Sequence, residues 1–190
     1  MGETPPPNSS IWAGERIHLR AFSLADAEIY QAWNHDSDQA RALWEIRWPR
    51  SPEGDRRWAE QEAERGATGD NVRLVIADAH DRAVGDLTTH DCDARAGTFS
   101  YGVSVAADHR GQGYATEAIG LLLRYMFHER RYQKAWVIIN GFNEPSITLH
   151  ERLGFTREGQ LRRMTYTRGQ HHDQYILGLL REEWEAQTGR

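Results

Sequence analysis

The sequence contains a single cysteine, Cys92, among its 190 residues, so no internal disulfide can form. One unpaired thiol fits a reducing compartment, and we expect a cytoplasmic protein. No apolar run approaches the roughly 20 residues that a helix needs to cross a bilayer, which argues against a membrane partner. The first residues lack both a basic and an apolar region, so we predict no secretory signal.

Positive charge is also scarce. The net charge is −5, which argues against nucleic acid as a partner because phosphate neutralisation needs a basic surface. Residues 23–70 hold 11 acids and 6 basic residues, whereas residues 124–168 hold 4 acids and 9 basic residues. This division favours a cationic ligand at one end and an anionic one at the other, unless both are only solvated faces. Histidines and cysteine form no cluster in the sequence, so we predict no metal.

The length is sufficient for one domain with its own core. We predict a flexible N-terminal tail over residues 1–14, which are rich in Pro, Ser and Gly, a single domain over 15–185, and a C-terminal tail over 186–190.

The hydrophobic pattern predicts an α/β (α+β) fold. Apolar and polar residues alternate over 15–22, and capping signals at Ser23 and Ser51 each predict the start of a helix. A longer amphipathic helix is predicted from Gly113 and a short one near Pro145–Leu153. Strands are predicted at Val72–Ala77, Ala83–Thr89, Phe99–Val105, Ala135–Ile139, Gln160–Thr167 and His171–Leu180. This order predicts a sheet that begins and ends antiparallel and has a strand–helix–strand unit in its middle.

The segment between the strand that ends at Val105 and the long helix has the composition of an anion site. It reads Arg110-Gly111-Gln112-Gly113-Tyr114-Ala115. Glycine lets the backbone approach a ligand closely, and the amides at a helix start favour a negative charge. Arg110 would add a forked cationic donor. The segment lacks the third glycine of a dinucleotide fingerprint and the Gly-Lys-Ser/Thr of a nucleotide P-loop, so it predicts another type of pyrophosphate site.

These residues resemble the pyrophosphate motif of the GNAT superfamily of N-acetyltransferases, Arg/Gln-x-x-Gly-x-Gly/Ala. Asn143-Glu144-Pro145-Ser146-Ile147 and Leu153-Gly154-Phe155 are similar to that family's second signature. The end, from Asp173 through Arg181-Glu182-Glu183-Trp184, resembles the RimJ/RimL-like branch, which acetylates N-terminal amines and related small amines.

The resemblance implies a mixed, mostly antiparallel central sheet flanked by helices. Within that sheet, two strands splay apart and hold the pantetheine arm of acetyl-CoA, the co-substrate. The arm would bond to the main chain at Val103, Ser104 and Val105, and an amide near Val105 would hold charge that develops on the thioester oxygen. Asn143 is expected either to bond the pantetheine or to act as an N-cap, a role that asparagine often fills.

The resemblance also locates the acid that protonates the leaving thiolate. Many relatives carry a tyrosine at the position of His150, and branch members can use a serine at that of Ser146, so the catalytic acid is expected to be Ser146 or His150. Relatives often have a glutamate base where this chain has Ser100. The remaining candidates for a base are Glu45, His90, Asp173 and water alone.

For the acceptor side we expect Trp44, Trp48, His90 and Ser100 to contact the substrate, since tryptophans can stack on a ring or face an ammonium. Trp44 and Trp48 can equally belong to a helix core. The resemblance implies acetyl transfer to a primary amine of a small molecule or to a peptide N-terminus, and a homodimer is possible. The alternative is a catalytically silent acyl-CoA-binding or sensor module.

Overall fold

The computed structural model describes residues 10–43 and 46–189. This part of the chain forms seven strands and six α-helices. The strands are β1 (Ile17–Arg20), β2 (Arg73–Asp78), β3 (Ala83–Asp93), β4 (Thr98–Val105), β5 (Lys134–Asn140), β6 (Thr156–Thr167) and β7 (Gln170–Leu180). The helices are α1 (Ala27–Asn34), α2 (Ser37–Leu43), α3 (Pro52–Glu64), α4 (Tyr114–His128), α5 (Glu144–Arg152) and α6 (Arg181–Thr188).

All seven strands form one sheet in the order β1-β2-β3-β4-β5-β7-β6. Neighbouring strands are antiparallel except for β4 and β5, which are parallel and are connected by α4. The predicted α/β fold with a mostly antiparallel sheet is therefore confirmed. A two-residue turn at Arg168 and Gly169, both at positive φ, connects β6 to β7, as expected for a tight hairpin.

The sheet buries both of its faces. The larger core lies between one face and α4, α5 and α6, and it includes Phe99, Leu122, Phe127 and Trp184. A smaller aromatic core on the other face holds Phe22, Tyr30 and Val75 against α1 and α3. These five helices therefore cover the sheet with their apolar stripes.

Two boundaries differ from the expected tails. Residues 10–14 pack on the domain: Trp12 lies 4.4 Å from the Tyr125 ring, and Arg124 Nη2 donates to the carbonyl of Ile11 at 2.7 Å. At the other end, α6 continues to Thr188, where we expected the domain to end at residue 185. The packing is possible because α4 exposes an aromatic side chain next to β1.

Helix α2 is an element that the sequence pattern did not predict. Asp36 Oδ1 accepts hydrogen bonds from the amides of Asp38 and Gln39, both at 3.0 Å, and so stabilises the first turn. An aspartate such as Asp36 is a typical residue at the start of a helix, but α2 is too short to show an apolar repeat in the sequence.

Candidate active site

The central sheet contains a slot, which we define as the gap between β4 from Tyr101 to Val105 and β5 from Val137 to Asn140. The two strands pair only from Thr98 to Ser100. On its other edge β4 stays bonded to β3, and the amide of Ala106 donates to the carbonyl of Val84 at 2.9 Å. Since backbone groups alternate along a strand, those of Tyr101, Val103 and Val105 point into the slot.

These backbone groups have no strand partner on the slot side within the described ranges. An extended chain with amide groups can bond to them as an added strand does. The slot therefore suits the pantetheine arm of acetyl-CoA along Val103, Ser104 and Val105, and its existence follows from the early end of β4–β5 pairing.

The loop after β4 forms an anion site at the N-terminus of α4. Gly111 has φ 77° and Gly113 has φ 82°, and Gly113 is the N-cap of the helix. The first amides of α4 have no helical acceptor and carry the positive end of the helix dipole. Arg16, from the segment before β1, adds a cation by donating from Nη1 to the carbonyl of Gln112 at 2.8 Å. Together these groups fit a pyrophosphate.

Arg110 does not point over this loop. Its Nε donates to the carbonyl of Val105 at 3.1 Å, and its Nη2 donates to Gln39 Oε1 at 3.3 Å. Gln39 in turn donates to Ser104 Oγ at 2.9 Å. The guanidinium that we expected to grip pyrophosphate therefore joins the end of β4 to α2.

A cavity of about 590 Å³ lies beside the anion loop, between the first turn of α4 and the outer face of α5. We call it the cofactor cavity. It is lined by Thr116, Glu144, Pro145, Thr148, Leu149, Arg152 and Leu153. Because it adjoins the anion loop, it has room for the parts of CoA beyond the pyrophosphate.

The N-terminus of α5 is held by Asn143. Its Oδ1 accepts from the amide of Ser146 at 3.3 Å, and its Nδ2 donates to the carbonyl of Ala42 at 3.2 Å. The expected N-cap is confirmed, whereas the contact of Asn143 with CoA stays a prediction. The side chain also joins α5 to the end of α2.

Ser146 and His150 lie on adjacent turns of α5 in different environments. With about 100° between successive helical residues, Ser146 lies at the border between the face that lines the cofactor cavity and the face that packs on the sheet. Ser146 is half-buried, whereas His150 is only 2% exposed and contacts the rings of Tyr101 and Phe155.

His150 is held as a neutral ring. Its Nδ1 donates to the carbonyl of Ser146 at 2.8 Å, so the proton is on Nδ1 and Nε2 carries the lone pair. Nε2 is buried without a partner in the described part of the chain. Burial lowers the pKa of His150, and the bond to Ser146 offsets this only in part.

A second cavity, of about 540 Å³, lies against the end of β5 and is called the acceptor cavity here. The end of α2, the loop after β5 and the β6–β7 hairpin form it. Its lining residues are Arg41, Ile46, Phe142, Met164, Thr165, Tyr166, Thr167 and Gln174. Gln174 donates to Asn140 Oδ1 at 2.9 Å, and Asn140 Nδ2 donates to the carbonyl of Arg41 at 3.2 Å. Asn140 is the last residue of β5, so these bonds fix the cavity to the slot.

The expected acceptor residues that the structure describes, Trp48, His90 and Ser100, are not among the residues that line this cavity. Trp48 is 91% exposed and is not among the lining residues. Ser100 is buried on β4, and His90 lies within β3, half-exposed, with Nδ1 3.0 Å from Asp91 Oδ2. Trp44 falls outside the described residues.

The candidates for a base have similar difficulties. Asp173 accepts hydrogen bonds from the amide of Arg163 and from Gln160, which lower the pKa of its carboxyl. A carboxylate stabilised in this way is a weak base. Glu45 lies outside the described residues. Water and His90 therefore remain as candidates for the base.

Sequence reasoning missed Arg16, Arg41, Phe142 and Tyr166. None has a local signal: Arg16 reaches the loop across 96 positions of sequence, and the other three meet only when α2, the loop after β5 and the β6–β7 hairpin fold together. The one signal in the sequence was an aromatic residue, Tyr166, next to the predicted hairpin turn, where an exposed aromatic side chain can indicate a binding surface.

Comparison with known proteins identifies the family. Residues 16–156 match the acetyltransferase (GNAT) domain. The chain is 38% identical over 180 residues, 95% of its length, to the SPbeta prophage-derived uncharacterized N-acetyltransferase YokL of Bacillus subtilis, of which it covers 98%. It is 32% identical over 103 residues to the putative ribosomal N-acetyltransferase YdaF of the same organism, a match covering 54% of this chain and 56% of YdaF.

A solved structure agrees in fold. The spermidine N-acetyltransferase of Vibrio cholerae in complex with CoA and spermine superposes with a TM-score of 0.76 at 20% identity, covering 88% of this chain and 97% of the other. The chain belongs to the GNAT acetyltransferase family. It is an acetyl-CoA-dependent N-acetyltransferase, and the slot and anion loop are suited to that co-substrate.

Two further findings concern partners. No described helix is long and apolar enough to cross a membrane. Across residues 10–43 and 46–189, no three His, Cys, Asp or Glu side chains come together as a metal site.

Proposed function

We propose that this protein transfers the acetyl group of acetyl-CoA to a primary amine of a small molecule or a peptide N-terminus, by direct attack of the amine on the thioester. The observation that carries the proposal is the slot, because the anion loop follows one of its walls, β4, and the acceptor cavity lies against the end of the other, β5. An amine in the acceptor cavity and a thioester in the slot would therefore meet near the ends of β4 and β5.

Different residues would bind different parts of acetyl-CoA. The amides of Gly111, Gln112, Gly113, Tyr114 and Ala115 bind the pyrophosphate with help from Arg16. The backbone groups of Val103 and Val105 align the pantetheine arm, whereas those of Ser104, which we expected to contribute, face β3. Asn143 would bond to a pantetheine amide. Acetyl-CoA supplies the activated acetyl group. Bonding the thioester oxygen to the main chain at Val105 would stabilise the charge that develops there.

Ser146 is the proposed proton donor to the leaving thiolate. It is half-buried at the edge of the cofactor cavity, and its hydroxyl can donate in any pH range. Neutral His150 has its only proton committed to the carbonyl of Ser146. The attacking nitrogen must lose a proton, which passes to water in the absence of a favoured base among the described residues, and a proton from water restores the Ser146 hydroxyl.

We also propose membership of the RimJ/RimL-like branch and a cytoplasmic location. The match to YdaF supports the first, and the free thiol of Cys92 supports the second. A homodimer is part of the same proposal, because a tryptophan as exposed as Trp48 is unusual on a monomer. Sedimentation at rising concentration, with Trp48→Ser beside the parent, tests the dimer: a mass independent of concentration and equal to 21.8 kDa contradicts it.

Release of CoA thiol from acetyl-CoA, followed against a panel of primary amines, tests the function. The panel contains peptides with free N-termini, amino acids and polyamines, and calorimetry measures CoA binding in parallel. We expect turnover on at least one class. Micromolar CoA binding without turnover on any amine would support the silent acyl-CoA-binding module instead.

A further inference from the structure

The described residues that line the acceptor cavity include a cation and no anion. Arg41 is the one charged side chain among its lining residues in the described part of the chain. A site built for a polyamine needs carboxylates facing the ligand, since a buried ammonium group is costly unless it is paired. The lining therefore suits a ligand with a negative group.

Arg41 has donors available for such a group. Its side chain is 25% exposed, and Nη1 donates to Asp38 Oδ1 at 2.6 Å. Nε is buried and has no hydrogen-bond partner among the described residues. Asp38 also accepts from Arg168 Nη2 at 2.6 Å. Two guanidinium groups therefore share one carboxylate, and the mouth of the cavity keeps an excess of positive charge.

Arg41 is also positioned close to the reacting end of the slot. Its carbonyl accepts from Asn140 at the end of β5, and the carbonyl of the next residue, Ala42, accepts from Asn143 at the start of α5. These two bonds join the last turn of α2 to both walls around the slot. A group bound by Arg41 would consequently lie near the bound amine.

The rest of the lining is largely apolar. Ile46, Met164 and Tyr166 are 51%, 62% and 64% exposed, and they surround the cavity together with Phe142. Exposed apolar side chains that cluster around one concavity usually mark a binding surface. They would cover an apolar or aromatic part of the acceptor.

The acidic region 23–70 does not supply the missing negative charge. None of its described carboxylates is among the residues that line the acceptor cavity. Five of its eleven carboxylates also pair with arginines: Asp26 with Arg20, Asp38 with Arg41 and Arg168, Asp55 with Arg50, Glu62 with Arg65 and Arg73, and Asp70 with Arg130. The interpretation that this region attracts a cationic ligand therefore loses its main support.

We infer that the acceptor is a primary amine that carries a carboxylate and an apolar body, as an apolar amino acid does, with the carboxylate bound by Arg41. This inference rests on the proposed function and names the substrate class of the same site. A forked guanidinium binds a carboxylate more strongly and with better-defined geometry than a neutral donor does.

One test uses four amines: L-phenylalanine, L-phenylalanine amide, phenethylamine and spermidine. Rates are compared at equal concentrations of the neutral amine, because the four amines titrate differently. We expect kcat/KM for phenylalanine to exceed that for each of the others by at least about tenfold. In Arg41→Gln this preference over the amide and phenethylamine should disappear. Arg95→Gln, in the exposed turn before β4 and at the end of that strand opposite to Val105, should keep it.

A binding measurement separates this inference from the proposed function. N-acetyl-L-phenylalanine and N-acetylphenethylamine are titrated into the complex with CoA, so that no turnover is needed. The carboxylate should strengthen binding by at least about tenfold in the parent and not in Arg41→Gln. Equal binding of the two compounds to the parent would overturn the inference, as would a higher kcat/KM for spermidine. Absence of turnover with all amines would overturn the proposed function alone.

Discussion

The side chains of Ser146 and His150 approach to 3.5 Å, from Oγ to Nδ1, yet only Ser146 keeps a proton that is not committed to the backbone. The imidazole donates its single proton to the backbone carbonyl of Ser146 and buries Nε2 among aromatic rings. The pair therefore gives one candidate acid and one side chain that supports the helix.

Replacing Ser146 by alanine should lower kcat and leave CoA affinity nearly unchanged. Loss of a positioned proton donor costs about 10²-fold or more. The N-cap of α5 survives, because Asn143 bonds the backbone amide of Ser146 and not its side chain. Ser146→Thr is the matched control, since it keeps a hydroxyl and should stay within a few-fold of the parent. Full activity in Ser146→Ala would assign the proton to solvent.

His150 should make the stability of the fold depend on pH near neutrality. Burial lowers the pKa of this histidine below its ordinary 6.5, so the unfolded chain binds a proton more readily than the folded one does. The stability is complete above pH 6.5 and falls as the pH decreases through 6.5 toward the folded-state pKa, with a slope of at most about 1.4 kcal/mol per pH unit.

Chemical denaturation between pH 7.5 and 5 measures this slope. His150→Phe should flatten it, because phenylalanine does not titrate and its neighbours Tyr101 and Phe155 are aromatic. Equal slopes in the parent and His150→Phe would show that another group titrates.

The structure of the anion loop and of the start of α5, which form the proposed cofactor half of the site, was largely predictable because the sequence signals for both are local. Gly111 and Gly113 precede the helix directly, and Asn143 caps α5 three residues before Ser146. The residues that form a loop or the start of a helix are adjacent in sequence, so their pattern can be recognised from the sequence alone. Arg110 shows the limit: its residue type suggested a phosphate contact, but its direction depends on Gln39 and on the end of β4.

The acceptor half was not predictable for the same reason. Arg41, Phe142 and Tyr166 lie on three elements that are far apart in sequence. The charge count over 23–70 was correct, but it could not show that arginines distant in sequence, such as Arg73 on β2, would pair with acids such as Glu62. The order of strands was recoverable from the family resemblance, and not from periodicity alone.

Alanine at Gly113 should weaken CoA binding more than alanine at Gly111. Both positions have positive φ, so each substitution should cost about 1 kcal/mol in the free energy of unfolding. A Cβ at Gly113 would come within 2.7 Å of Arg16 Nη1 and displace it from the carbonyl of Gln112, whereas nothing lies within 4 Å of a Cβ at Gly111. Calorimetry with CoA should show about a fivefold greater loss for Gly113→Ala. Equal losses would exclude Arg16 from the anion site.

The direction of Arg110 predicts that it supports the slot and does not bind the pyrophosphate. Its guanidinium bonds Val105 and Gln39, which connect β4 to α2. Arg110→Met should therefore weaken binding of CoA and of pantetheine by the same factor, about fivefold for the loss of roughly 1 kcal/mol.

Pantetheine distinguishes the two roles because it lacks the phosphates. Competition against CoA gives its affinity for each variant. Arg16→Met is the matched comparison, since Arg16 bonds to the anion loop. It should weaken the binding of CoA and leave that of pantetheine unchanged. If Arg110→Met instead weakened the binding of CoA and left that of pantetheine unchanged, Arg110 would have to rotate onto the pyrophosphate when CoA binds. Its bond to Val105 would then exist only in the free protein.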